Sequence, residues 1–125
     1  MSWAGTAAIL LACAVALGAF GAHGLRARLD AYSLSVYEKA VFYHFIHALG
    51  ILLVALLART NTITDEGASR VAWLLLIGIL FFSGSLYALA VSGVRMLGAI
   101  TPIGGVAFIA GWALLAYEAF RAPRS

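Results

Sequence analysis

The chain has 125 residues, 64% of them hydrophobic and only 10% charged, with a mean hydropathy of +1.02. Soluble domains carry about 25% charged residues, so this composition excludes a water-soluble globule of such small size. The net charge of +3 comes from scattered arginines, which suit anionic headgroups but exclude nucleic acid, because no Lys/Arg run exists to track phosphates. Cys13 stands alone, so there is no disulfide framework and no cysteine metal motif.

The first predicted span covers about residues 3–22. It lacks the basic flank of a signal peptide, so a retained helix is expected. Ala4, Ala8, Ala12 and Ala16 recur every four residues, and Ala14, Gly18 and Ala22 form a second ladder. Small residues at this spacing let another backbone come close, and close packing drives helix association in lipid. The ladders are expected to hold the bundle together, with a homodimer face as a compatible second use. His23 follows the span, and "HGLRARLDAYSLSVYEK" reads as one short amphipathic connection.

The second span is expected over about 36–58. Ser35 and Glu38 have the spacing of a capping box and predict a start near Val36. Within "VFYHFIHALG" two imidazoles interrupt an apolar run. Tyr37, Ala40, His44, His47 and Ile51 recur at spacings of three and four and form one stripe expected to face inward. His44 lies roughly 12 Å from Val36 along such a helix, and His47 deeper.

The third span, about 70–92, carries the small residues Gly84 and Ala88 and the polar Ser83, Ser85 and Tyr87, with Gly93 as its stop. The fourth, about 98–119, carries Gly104, Ala107 and Gly111. Thr101-Pro102 reads either as an N-cap with proline in the first turn or as a kink within a longer helix. No linker could hold a soluble domain. The expected architecture for 1–125 is a single transmembrane domain, an all-α integral membrane four-helix bundle threaded up-down-up-down, with both termini on one side. Orientation stays open: Arg26, Arg28, Lys39 and Arg95 on one side balance Arg59, Arg70, Arg121 and Arg124 on the other.

Antiparallel threading gathers the polar residues. His23, Tyr43, His44, His47, Ser85, Tyr87 and Thr101 all fall in one half of the membrane. Intramembrane ionisable residues are functional candidates by default, but a neutral histidine also makes a good hydrogen-bonding partner for Tyr43, Ser85, Tyr87 and Thr101. A structural network, with His47 as its anchor, is the first reading. A site for a small ligand, proton, lipid headgroup, metal or haem is the other, although no carboxylate lies deep in any span to complete a harder metal site.

Four motifs carry a resemblance: "GAFGAHGL" closing the first span, "YHFIHAL" in the second, "FSGSLYALAVSG" ending the third and "TPIGG" with "AGW" in the fourth. Together they resemble the YgdD-like and YwdK-like family of small membrane proteins, domain of unknown function 423, which includes the eukaryotic transmembrane protein 256. The likeness spans nearly the whole chain. It implies a multi-pass protein of the bacterial inner membrane or of a eukaryotic organelle, and supplies no catalytic residues. The family's GAHG element falls on Gly21, Ala22, His23 and Gly24, and its second-helix histidine on His47. The His44 position is looser in the family, so His44 is the weaker functional candidate.

The function expected from these features is that of a non-enzymatic structural, interaction or lipid-associated bundle. Its partners are then the bilayer and a larger membrane complex or a second copy, and neither cofactor nor metal is called for. The alternative is a small transporter or a ligand- or metal-binding membrane protein using His23, His44 and His47. Four-helix drug exporters are similar in size, but they depend on an embedded carboxylate in the first helix, which is absent here, and no inverted repeat is evident. No serine–histidine–carboxylate set has plausible geometry for catalysis.

Overall fold

The computed structural model describes residues 2–121. Four helices are long and apolar enough to cross a membrane: α1 (Trp3–Leu25), α2 (Ala31–Arg59), α3 (Asp65–Ser92) and α4, which runs over Thr101–Arg121 after a 3₁₀ turn at Arg95–Ala99. They thread antiparallel, so Ser2 and Arg121 lie on one side. Arg124, counted above for that side, lies outside the described residues. α2 packs against α1 and α3, and α3 packs against α4. Ile51, Val54, Val71 and Leu75 are fully buried where the second and third helices meet.

Three helices begin on side-chain caps. Ser2 accepts from the Gly5 amide, Asp30 from the Ser33 amide and Thr64 from the Gly67 amide. Each satisfies a donor that an N-terminus would leave free. The second and third helices therefore start at Ala31 and Asp65, about a turn before the expected positions. Ser35 and Glu38 are no capping box; they lie inside α2 on its exposed side. The cap at Asp30 captures the start first, and the connection after α1 shrinks to residues 26–30. The earlier start also moves His44 roughly 20 Å along α2, close to its midpoint.

Gly93 ends α3 with φ +74°, the left-handed conformation that suits glycine at a helix stop. Thr101 opens α4, so Pro102 sits in the first turn, where a missing N–H costs nothing. Two helical stretches are π turns: Gly21–Leu25 at the end of α1 and Ile79–Ser83 within α3.

The small-residue ladders divide. Gly104 and Gly111 are close-packing positions: a Cβ on Gly104 would meet the backbone of Phe82, and one on Gly111 would lie 2.8 Å from a Leu75 methyl. Gly18 faces Val41 at ordinary contact distance. Ala8, Ala12 and Ala16 do not hold the bundle together, because they are exposed on the outside of α1. The small residues turned inward are Ala7, Ala14 and Gly21, seven apart. Gly84 likewise has open space beside it, and Gly78, against the Phe108 ring, does the close packing in α3.

Candidate functional site

The stripe on α2 faces inward as its spacing requires: Tyr37, Ala40, His44, His47 and Ile51 are all buried. Each polar member meets a different neighbour. Tyr37 donates from its hydroxyl to the Leu17 carbonyl of α1 at 2.5 Å. Next to the π turn that carbonyl shares the Gly21 amide with Gly18, which leaves it free to accept a second donor. Ser83, within the π turn of α3, donates to the Ala40 carbonyl at 2.8 Å. His44 Nδ1 is hydrogen-bonded to the Tyr87 hydroxyl at 2.9 Å. Ser85 and Thr101 join α3 to α4 through their hydroxyls at 2.6 Å.

His47 is anchored otherwise than expected. Its Nδ1–H donates to the Tyr43 carbonyl one turn back on its own helix, at 2.8 Å. Its bond between helices is a stack: the imidazole lies on the Phe108 ring of α4, with centroids 3.5 Å apart and planes 12° apart. Tyr43 is half-exposed, and its ring packs on Phe82 at 4.4 Å. The side-chain-to-side-chain hydrogen bond from α2 to α3 therefore runs through His44, the residue the resemblance ranked lower, beside the Ser83 bond to the Ala40 carbonyl. His44 also carries the one buried side-chain polar atom without a partner among the described residues, Nε2.

Two expectations separate from this cluster. His23 sits exposed in the π turn of α1 and takes no part in the network. No three His, Cys, Asp or Glu side chains come together in a group able to hold a metal among the described residues.

The opposite half of the membrane holds a charged group that the sequence does not single out. Glu118 on α4 is 1% exposed. It is paired with Arg121 at 3.1 Å and reaches Arg70 of α3 at 4.0 Å. Its carboxylate occupies the space above Gly67, in the first turn of α3, where any Cβ would collide with it. A helix N-terminus favours negative charge, so the carboxylate has a second source of stabilisation there. A glycine early in α3 opposite a glutamate late in α4 was the available signal.

At the His23 end, a furrow of about 300 Å³ opens between α1 and α2, with Arg26 and Glu38 among its lining residues.

Comparison with known proteins agrees with this architecture. The family described as "Protein of unknown function (DUF423)" matches residues 17–105. The UPF0382 membrane protein SSP2132 of Staphylococcus saprophyticus is 52% identical over 86% of this chain and 88% of its own length. The UPF0382 membrane protein SERP0230 of Staphylococcus epidermidis is 54% identical over 82% and 81%, respectively. The UPF0382 membrane protein YwdK of Bacillus subtilis is 48% identical over 86% and 87%. No solved structure matches. With four spans, an all-α bundle and these relatives, the chain belongs to the DUF423 family of multi-pass membrane proteins.

Proposed function

We propose that the protein is a non-enzymatic bundle that works by association, with lipid or with a larger membrane assembly, in the bacterial inner membrane. The supporting observation is how its polar half is occupied. Tyr37, Ser83, Ser85 and Thr101 engage one another or backbone carbonyls, His44 engages Tyr87, and His47 is held between its own helix and Phe108. Side chains committed in this way serve as glue between helices, the role polar groups commonly take in lipid. A second reading, a small-ligand site, draws on a single atom, the unpartnered His44 Nε2.

Purification in mild detergent followed by mass spectrometry tests the proposal. Retained lipid, or a membrane protein in fixed stoichiometry, is the expected result. His47→Leu should then lower stability by about 0.6–2 kcal/mol, the scale of one polar contact in a membrane, with association intact. An optical chromophore in the purified protein would overturn the reading. So would a cellular phenotype lost in His47→Leu at unchanged melting temperature.

A further inference from the structure

We propose that the furrow between α1 and α2 binds the headgroup of a zwitterionic aminophospholipid, its phosphate on Arg26 and its ammonium on Glu38. The inference rests on the association reading above and names the lipid it would concern.

The furrow is built rather than incidental. Its floor is the run of Gly18, Gly21 and Ala22 on α1, and Tyr37 forms part of the α2 wall. A Cβ on Gly21 would lie 2.5 Å from the Tyr37 ring, and one on Gly18 would lie 3.4 Å from a Val41 methyl, so the two glycines let α2 pack closely on α1 and set the depth of the furrow beside that contact. Tyr37 is fixed in that contact. Its hydroxyl is bonded to the Leu17 carbonyl and its ring lies edge-on to Tyr87 at 5.3 Å. Arg26 is placed at the mouth by the π turn that ends at Leu25.

Size and charge then select the occupant. The volume of about 300 Å³ is at the lower end of small-molecule sites, about 300–1,000 Å³. It suits a headgroup better than a larger ligand. Arg26 and Glu38 are both exposed, and neither belongs to the ion pairs formed among the described residues. One opening thus offers an unneutralised cation and an unneutralised anion. A phosphodiester takes the guanidinium fork, and a primary ammonium donates to the carboxylate. A phosphoglycerol headgroup brings no cation for Glu38, and a choline headgroup has no N–H to donate. Arg26 follows the last turn of α1 and Glu38 lies about 10 Å along α2 from its start, while Gly21 and Gly18 continue the furrow toward the middle of α1, the direction the acyl chains would take.

The test uses the full chain in nanodiscs holding equal parts of phosphatidylethanolamine, phosphatidylglycerol and phosphatidylcholine, with retained lipid counted by native mass spectrometry. Phosphatidylethanolamine should be retained preferentially. Arg26→Gln should lower retention of all three lipids by about tenfold, the factor carried by one charge-assisted contact. Glu38→Gln should lower phosphatidylethanolamine alone and abolish the preference. Arg28→Gln, a neighbouring charge outside the furrow, should change nothing. All three side chains are exposed, and unchanged melting temperatures would show that the variants fold. Equal retention of the three lipids, or a preference surviving both substitutions, overturns the headgroup assignment but leaves lipid association standing. Retention of no lipid and no membrane partner overturns both.

Discussion

His44 on α2 and Tyr87 on α3 meet at 2.9 Å, near the midpoint of α2. Neither ring has water to fall back on there, so losing one partner strands the other. Tyr87→Phe and His44→Leu should each lower stability in detergent by about 0.6–2 kcal/mol. The double variant should cost less than the sum, with a coupling of about 0.6 kcal/mol. Strict additivity in thermal melts would show that the bond is not formed.

Close approach of α3 and α4 at Gly104 makes a steric prediction. Gly104→Leu drives a branched side chain into the Phe82 backbone and should cost at least about 1–3 kcal/mol. Leu75→Ala empties a fully buried position and should cost about 2–5 kcal/mol. Ala12→Leu, on the exposed side of α1, should stay within about 0.5 kcal/mol of the parent. A marked loss of melting temperature for Ala12→Leu alone would place that alanine in a contact the single chain does not show.

Glu118 and Gly67 should behave as one unit. Gly67→Ala pushes a methyl into the carboxylate held by Arg121 and Arg70. It should destabilise by about 1–3 kcal/mol. Glu118→Ala should cost about 1–3 kcal/mol, less than a fully buried pair because both arginines are half-exposed. Combined, the two changes should cost clearly less than their sum, since the new methyl occupies the vacated space. Additive losses would mean that the two positions do not touch.

Asp30 gives a pH dependence outside the membrane. The Ser33 amide, and then the Ser33 hydroxyl, hold its carboxyl below the ordinary value of 3.8. A depressed folded value contributes stability that is present above that ordinary value and lost as pH falls through the folded one. The first turn of α2 should therefore fray in acid below about pH 4. Protection of the amides of residues 32–35 against hydrogen exchange, taken relative to their intrinsic rates at each pH, should fall there and hold steady between pH 5 and 8. Asp30→Ala should show the lower protection at pH 5 to 8 and approach the parent in acid, where the parent's own cap is lost.

Much of this was legible beforehand, for identifiable reasons. Four apolar runs of bilayer length leave little choice of architecture. The stripe from Tyr37 to Ile51 was readable because polar residues at helical spacing stand out in an apolar run, and Gly93 was readable as a stop. The helix starts were not, because Asp30 and Thr64 cap from polar stretches where hydropathy carries no information. The face of α1 was not, because a helix so rich in alanine presents small residues on several sides. Glu118 was not legible, because nothing near it in the chain marks it as buried; its burial depends on Gly67, some fifty positions away. His47 was placed correctly, but its partners depend on the Phe108 ring, and no spacing rule within α2 predicts a stack on another helix.

The two π turns bear on how the chain tolerates changes in length. A π turn is a helical turn carrying one residue more than the i→i+4 ladder needs. Removing a single residue from 21–25 or from 79–83 can therefore restore a regular ladder without breaking the helix, whereas the same deletion at 104–108 would rotate Gly111 and Glu118 away from Leu75 and Gly67. Among relatives, single-residue gaps should accordingly collect at the first two places and avoid the third.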